Sequence, residues 1–130
     1  MQKQFIIIGS LFGLLAVALG AFGAHTLKEV LSIEQITTFQ TGVQYHFYHT
    51  IAIFIVVSLF GKLPKKALKL AGRLFITGII CFSGSLYLLS CKELLGINSS
   101  ILGPITPIGG TFFIIGWGIL LWNAFKMEKV

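Results

Sequence analysis

Residues 5–24 read FIIIGSLFGLLAVALGAFGA, twenty positions without a charged side chain. A bilayer core about 30 Å thick takes roughly 20 helical residues, so this stretch has the length and chemistry of a membrane span. The rest of the chain agrees with it. Of 130 residues, 55% are hydrophobic and 11% charged, and mean hydropathy is +0.92. Soluble domains run near ~25% charged, and ten basic plus four acidic side chains cannot cover a soluble surface of this size. Two cysteines and 12 phenylalanines also exclude disordered, collagenous and disulfide-scaffold classes.

Working outward, three further spans follow. Tyr45 to Phe60 is apolar but short. The pair Ser32 and Gln35 forms a capping-box pattern, which starts the helix near Ile33 and carries it to Gly61, before Pro64. A third span runs from about Ala67 to Ser90, with Pro64 suited to its first turn. The fourth is expected after Thr106-Pro107, a cap followed by proline, and ends near Phe125. The expected fold is therefore all-α: one domain over 1–130, a polytopic four-helix transmembrane bundle with spans near 5–24, 37–60, 67–90 and 107–125.

The basic residues set its direction. With four spans, Lys3, Lys62, Lys65, Lys66, Lys69, Arg73, Lys126 and Lys129 fall on one side, and Lys28 and Lys92 on the other. The positive-inside rule then places the N- and C-termini and the middle loop in the cytoplasm, in a cell (inner, plasma) membrane. The net charge of +6 reflects topology, not nucleic-acid binding. Ala21 to Ala24 resemble a signal-peptide cleavage region, but the single charge before the apolar run favours an uncleaved helix.

Each helix carries a seam of small or polar residues. Gly9, Gly13, Ala16, Gly20, Gly23 and Ala24 form the first; Ala71, Gly78 and Ser85 the third; Gly109, Gly116 and Asn123 the fourth. Helices in lipid associate through such close-packing stripes. Intramolecular use is the expectation, and a homo-oligomer or larger membrane complex is the alternative for Gly9-xxx-Gly13. Cys81 and Cys91, about 15 Å apart along one helix, cannot bridge each other.

Sorted by depth, hydrogen-bonding side chains gather toward the extracytoplasmic half: His25, Tyr45, His46, His49, Ser83, Ser85, Tyr87 and Thr106. Polar groups in hydrocarbon are costly unless paired or wet, so this cluster reads as either a tie between helices or an outward pocket. His25, Tyr45, His49, Ser85, Tyr87 and Thr106 are the candidate ligand-binding set, for a lipid, quinone or other small hydrophobic ligand. His25 with His49 or His46 is the candidate haem or metal pair, although no span holds a carboxylate. No cofactor is required by the sequence. Lys65, Lys69 and Arg73 form an i, i+4 stripe that could hold lipid headgroups or simply anchor the topology. Nucleotide loops and the HExxH, GxSxG and CxxCH motifs are absent, and the chain is not expected to be an enzyme.

Several motifs look familiar together. Gly20-Ala21-Phe22-Gly23-Ala24-His25, Tyr45 through His49, Ser83-Gly84-Ser85-Leu86-Tyr87, and Thr106-Pro107-Ile108-Gly109-Gly110 with Gly116-Trp117 resemble the transmembrane protein 256 family, catalogued in bacteria as domain-of-unknown-function family 423. The resemblance covers nearly the whole chain. It implies a small four-helix inner-membrane protein and brings no activity, substrate or cofactor. His25, Tyr45, His49, Tyr87, Thr106 and Pro107 fall on its motif positions, whereas His46 stands where glutamine or an apolar residue is expected. The leading functional expectation is a small binding or accessory protein. The alternatives are a structural or assembly subunit and a haem or metal protein.

Overall fold

The computed structural model describes residues 1–127; Lys129, assigned above to the cytoplasmic side, lies outside them. Four long helical segments form the molecule: α1 (Gln2–His25), α2 (Ile33–Ser58), a third made of α3 (Lys65–Gly78), a π-helical turn (Ile79–Ser83) and α4 (Gly84–Ser90), and α6 (Leu102–Phe125). A short α5 (Lys92–Leu95) lies in the loop before α6.

Local chemistry sets most of the boundaries. At the start of α2, the Gln35 N–H donates to Ser32 Oγ (3.2 Å) and the Ser32 N–H to Gln35 Oε1 (2.9 Å), a complete capping box. The α2–α3 turn needs Gly61, whose φ of +91° lies in the region that disfavours a side chain. The expected start of the last helix needs correction. It begins at Leu102, so Thr106 and Pro107 lie within it. Pro104 falls in the first turn, where its missing N–H would have had no helical partner, and only Pro107 forfeits a bond.

Two interfaces fix the register. Along α1, a Cβ on Gly9, Gly13, Gly20 or Gly23 would meet Phe54, Thr50, Val43 or Phe39 of α2, in that order, so the two helices run antiparallel from residues 9 to 23 and 54 to 39. The α1 seam is thus used within the molecule. Between the third helix and α6, Phe75 sits on Gly116, Phe113 on Gly78, the Phe82 backbone on Gly109 and Ser85 on Thr106. Steps of three, four and three residues along each helix give antiparallel packing, with bulk on one side matched to glycine on the other. The core below them is Phe5, Ala52, Ile53, Val56, Leu68, Ala71, Phe75 and Phe113.

Three segments are long and apolar enough to cross a membrane: Gln2–Glu29, Lys65–Ser90 and Leu102–Phe125. α2 is comparably long at 26 residues but is not among them, since Gln40, Thr41, Gln44, His46, His49 and Thr50 interrupt its apolar character.

Candidate functional site

α2 carries the chemistry, and its two histidines face different neighbours. His49 is 5% exposed and stacks flat on Phe113 of α6, with centroids 3.4 Å apart and planes 7° from parallel. Its Nδ1 lies 2.8 Å from the Tyr45 carbonyl oxygen, which can only accept. Nδ1 therefore carries the proton. Nε2 is then the bare nitrogen, and it accepts from the Trp117 Nε1–H at 3.2 Å. Both ring nitrogens are used and the ring is neutral, a tie from α2 to α6. Phe75 braces the indole from the third helix, with centroids 5.2 Å apart.

His46 turns the other way. Nδ1 meets the Tyr87 hydroxyl of α4 at 2.9 Å, and the ring stands edge-on to Phe12 of α1 at 5.5 Å. Its Nε2 is buried without a partner, as is Ser83 Oγ in the π-helical turn. A third cross-helix pair joins Ser85 of α4 to Thr106 of α6 at 2.6 Å. Ser85 also reaches the Phe82 carbonyl at 2.9 Å, which takes the serine proton and leaves Thr106 as donor to Ser85. Substituting Ser85→Ala, Thr106→Ala and both together is expected to give a coupling energy of about 0.6 to 1.7 kcal/mol in a thermal-melt double-mutant cycle. Additive losses would mean the pair is not a tie.

The six expected ligand-binding residues are not gathered into one pocket. Tyr45 and His49 share a groove of about 520 Å³ between α2 and α6, completed by Gly110, Phe113, Ile114 and Trp117. Tyr87 faces α2, where it meets His46 and Gly42, whereas Ser85 faces Thr106 of α6, and none of the three lines this groove. His25, at the end of α1, is exposed. The α1–α2 register sets it level with residue 38, eleven residues and about 16 Å along the helix from His49. The candidate haem or metal pair is thus not brought together, and no group of three metal-capable side chains occurs among the described residues. The basic stripe also divides. Lys65 lines a cleft with Lys62 and Lys126, whereas Arg73 lines another with Met1, Gln4, Phe5 and Ile76. Lys69, between them, lines neither.

Phe113 was not singled out from the sequence, and Trp117 was quoted there only within the Gly116-Trp117 motif, without a site role. A signal existed: Phe113 lies four residues after Gly109 and three before Gly116, on the small-residue seam of α6, and Trp117 is one turn further. A tryptophan on a packed face seeks an acceptor for its N–H.

The relatives of the chain agree on its class. Residues 19–110 match the family model described as "Protein of unknown function (DUF423)". The chain is 46% identical over 126 residues to the UPF0382 membrane protein YwdK of Bacillus subtilis, covering 96% of this chain and 98% of that one. It is 37% identical over 130 residues to a UPF0382 membrane protein of Haemophilus influenzae, covering 100% of both. It is 41% identical over 125 residues to the UPF0382 membrane protein SAB0533 of Staphylococcus aureus, covering 96% of this chain and 98% of that one. No solved structure matches. With a helical fold built from membrane-length segments and near-full-length similarity to these relatives, the chain belongs to the DUF423 family of membrane proteins, whose function is unknown.

Proposed function

We propose that the protein is a non-catalytic structural or accessory subunit of the cytoplasmic membrane, and that its polar interior exists to hold four helices in one arrangement. The observation that carries this reading is the pairing of polar side chains across helices: His49 with Trp117, His46 with Tyr87, and Ser85 with Thr106. A catalytic base or ligand-binding histidine needs a nitrogen open to its substrate; both nitrogens of His49 are already spent, and the unpartnered Nε2 of His46 is buried. What the bundle offers to other molecules is its outer surface, where Ile7, Leu14, Val17, Ile114, Leu121 and Phe125 are exposed.

In this reading all four long helices cross the bilayer. The continuous α1–α2 register supports it, because a helix lying antiparallel along a spanning helix occupies the same depth. α2 crosses with His46, His49 and Thr50 turned to its neighbours, as hydrocarbon demands, and with Gln40, Gln44, Tyr45 and Tyr48 on its exposed face. The end carrying Lys3, Lys62, Lys65, Lys66 and Lys126 faces the cytoplasm by the positive-inside rule. In a Cys81→Ser, Cys91→Ser background, cysteines introduced at Lys3 and Lys126 are expected to react with a membrane-impermeant maleimide in inverted vesicles and not in intact cells. Labelling of either from outside contradicts the topology.

The groove at Tyr45 and His49 favours a second reading, a binding site for a quinone-like ring, since its volume suits a small ligand and its walls are aromatic. Thermal melts with decylubiquinone separate the two. The structural reading expects a shift below about 1 °C. A shift of several degrees that disappears in Tyr45→Phe would establish the binding reading instead.

A further inference from the structure

At the end of the bundle opposite His25, the α2–α3 turn and the C-terminal end of α6 enclose a cleft of about 560 Å³. Lys62, Lys65 and Lys126 line it together with Gly61, Leu63 and Asn123, and no carboxylate does among the described residues. Three ammonium groups drawn from two distant segments repel one another unless an anion lies between them. Pro64 gives α3 no side-chain cap, and its first turn carries Lys65 and Lys66 but no acidic residue, so the basic charge there opposes the helix dipole. In the topology proposed above, on which this inference rests, the cleft also lies at headgroup depth. Lys126 Nζ sits 4.6 Å from the Trp122 ring centroid, and Trp122 and Phe125 are 62% and 79% exposed beside it, as aromatic residues at a membrane interface are.

We propose that this cleft is a binding site for the phosphodiester headgroup of an anionic glycerophospholipid, with Lys62, Lys65 and Lys126 as its charged ligands. Basic pockets between helix ends hold such headgroups, while the acyl chains lie along the exposed apolar flank. The geometry reassigns the role expected of the Lys65, Lys69, Arg73 stripe: Lys65 shares the cleft, whereas Lys69 and Arg73 do not line it.

Native mass spectrometry of the full chain in mild detergent tests this, with phosphatidylglycerol and phosphatidylcholine of matched acyl chains supplied at equal concentration. The wild type is expected to retain the anionic lipid at least fivefold over the zwitterionic one. The Lys62→Gln, Lys65→Gln, Lys126→Gln triple variant is expected to fall below twofold. A charge-matched control, Lys66→Gln, Lys69→Gln, Arg73→Gln, is expected to keep the preference. Lys126→Gln alone, at an exposed position that folding does not depend on, is expected to lower it two- to threefold. The proposal is overturned if the wild type shows no preference or if the two triple variants lose it equally, the mark of undirected electrostatics. It is overturned too if Lys126→Gln leaves the preference intact, or if equimolar inorganic phosphate displaces the lipid, which would make free phosphate the ligand.

Discussion

Gly109→Ala is expected to destabilise the bundle by about 2–3 kcal/mol, the upper part of the range for overpacking a filled interior. The added Cβ would fall on the backbone nitrogen and Cα of Phe82, atoms that cannot rotate aside. Helix α6 would have to move away from the π-helical turn, and the matched contacts of Phe113 with Gly78 and Phe75 with Gly116 would loosen with it. Gly118→Ala is the internal standard. Nothing lies within 4 Å of its Cβ position, so it should melt within about 1 kcal/mol of the wild type, the scale of helix propensity alone. Gly110→Ala, whose Cβ would meet the Phe82 ring at 3.7 Å, should resemble it. Helicity followed by circular dichroism against temperature in detergent distinguishes them. Equal melting of Gly109→Ala and Gly118→Ala would mean that the α6 register is not as described.

His49→Ala is the second large effect, at about 2–4 kcal/mol. The substitution removes a ring in flat contact with Phe113 and leaves the Trp117 Nε1–H without its acceptor. In a Trp122→Phe background, Trp117 is the only tryptophan, and its emission should shift on losing the imidazole. His25→Ala, at an exposed position, is expected to change stability by less than about 0.5 kcal/mol. Comparable losses at His25 and His49, or a silent His49→Ala, would contradict the arrangement of the interior.

The two histidines also show where a single sequence is readable. The apolar run at residues 5–24 and the Ser32–Gln35 cap are local signals, and the structure holds a helix over Gln2–His25 and a complete capping box. The small-residue seams were legible for the same reason: glycine at helical spacing states that something comes close, and α2 and the third helix do. What comes close was not legible, because it depends on the register between helices far apart in sequence. The start of α2 near Ile33 was legible from the Ser32–Gln35 cap, but the relative height of the histidines was not: the α1–α2 register sets His25 level with residue 38, eleven residues from His49. Thr106-Pro107 misled. The pair has the form of a helix start, but Leu102–Ile105 already form the first turn, and lipid-embedded helices tolerate an internal proline. His46 was discounted as a departure from the family motif, yet it holds Tyr87.

The protonation pattern of His49 bears most directly on whether the polar interior is a set of ties. Nitrogen-15 magic-angle-spinning NMR of the full chain in liposomes, with imidazole and indole nitrogens labelled and His25 and His46 assigned by substitution, reads each ring nitrogen separately. The tie predicts a neutral His49 with the proton on Nδ1 and a bare Nε2 coupled through a hydrogen bond to the Trp117 indole. A proton on Nε2, a doubly protonated ring, or a Trp117 indole without that coupling would show that His49 is turned toward something other than α6.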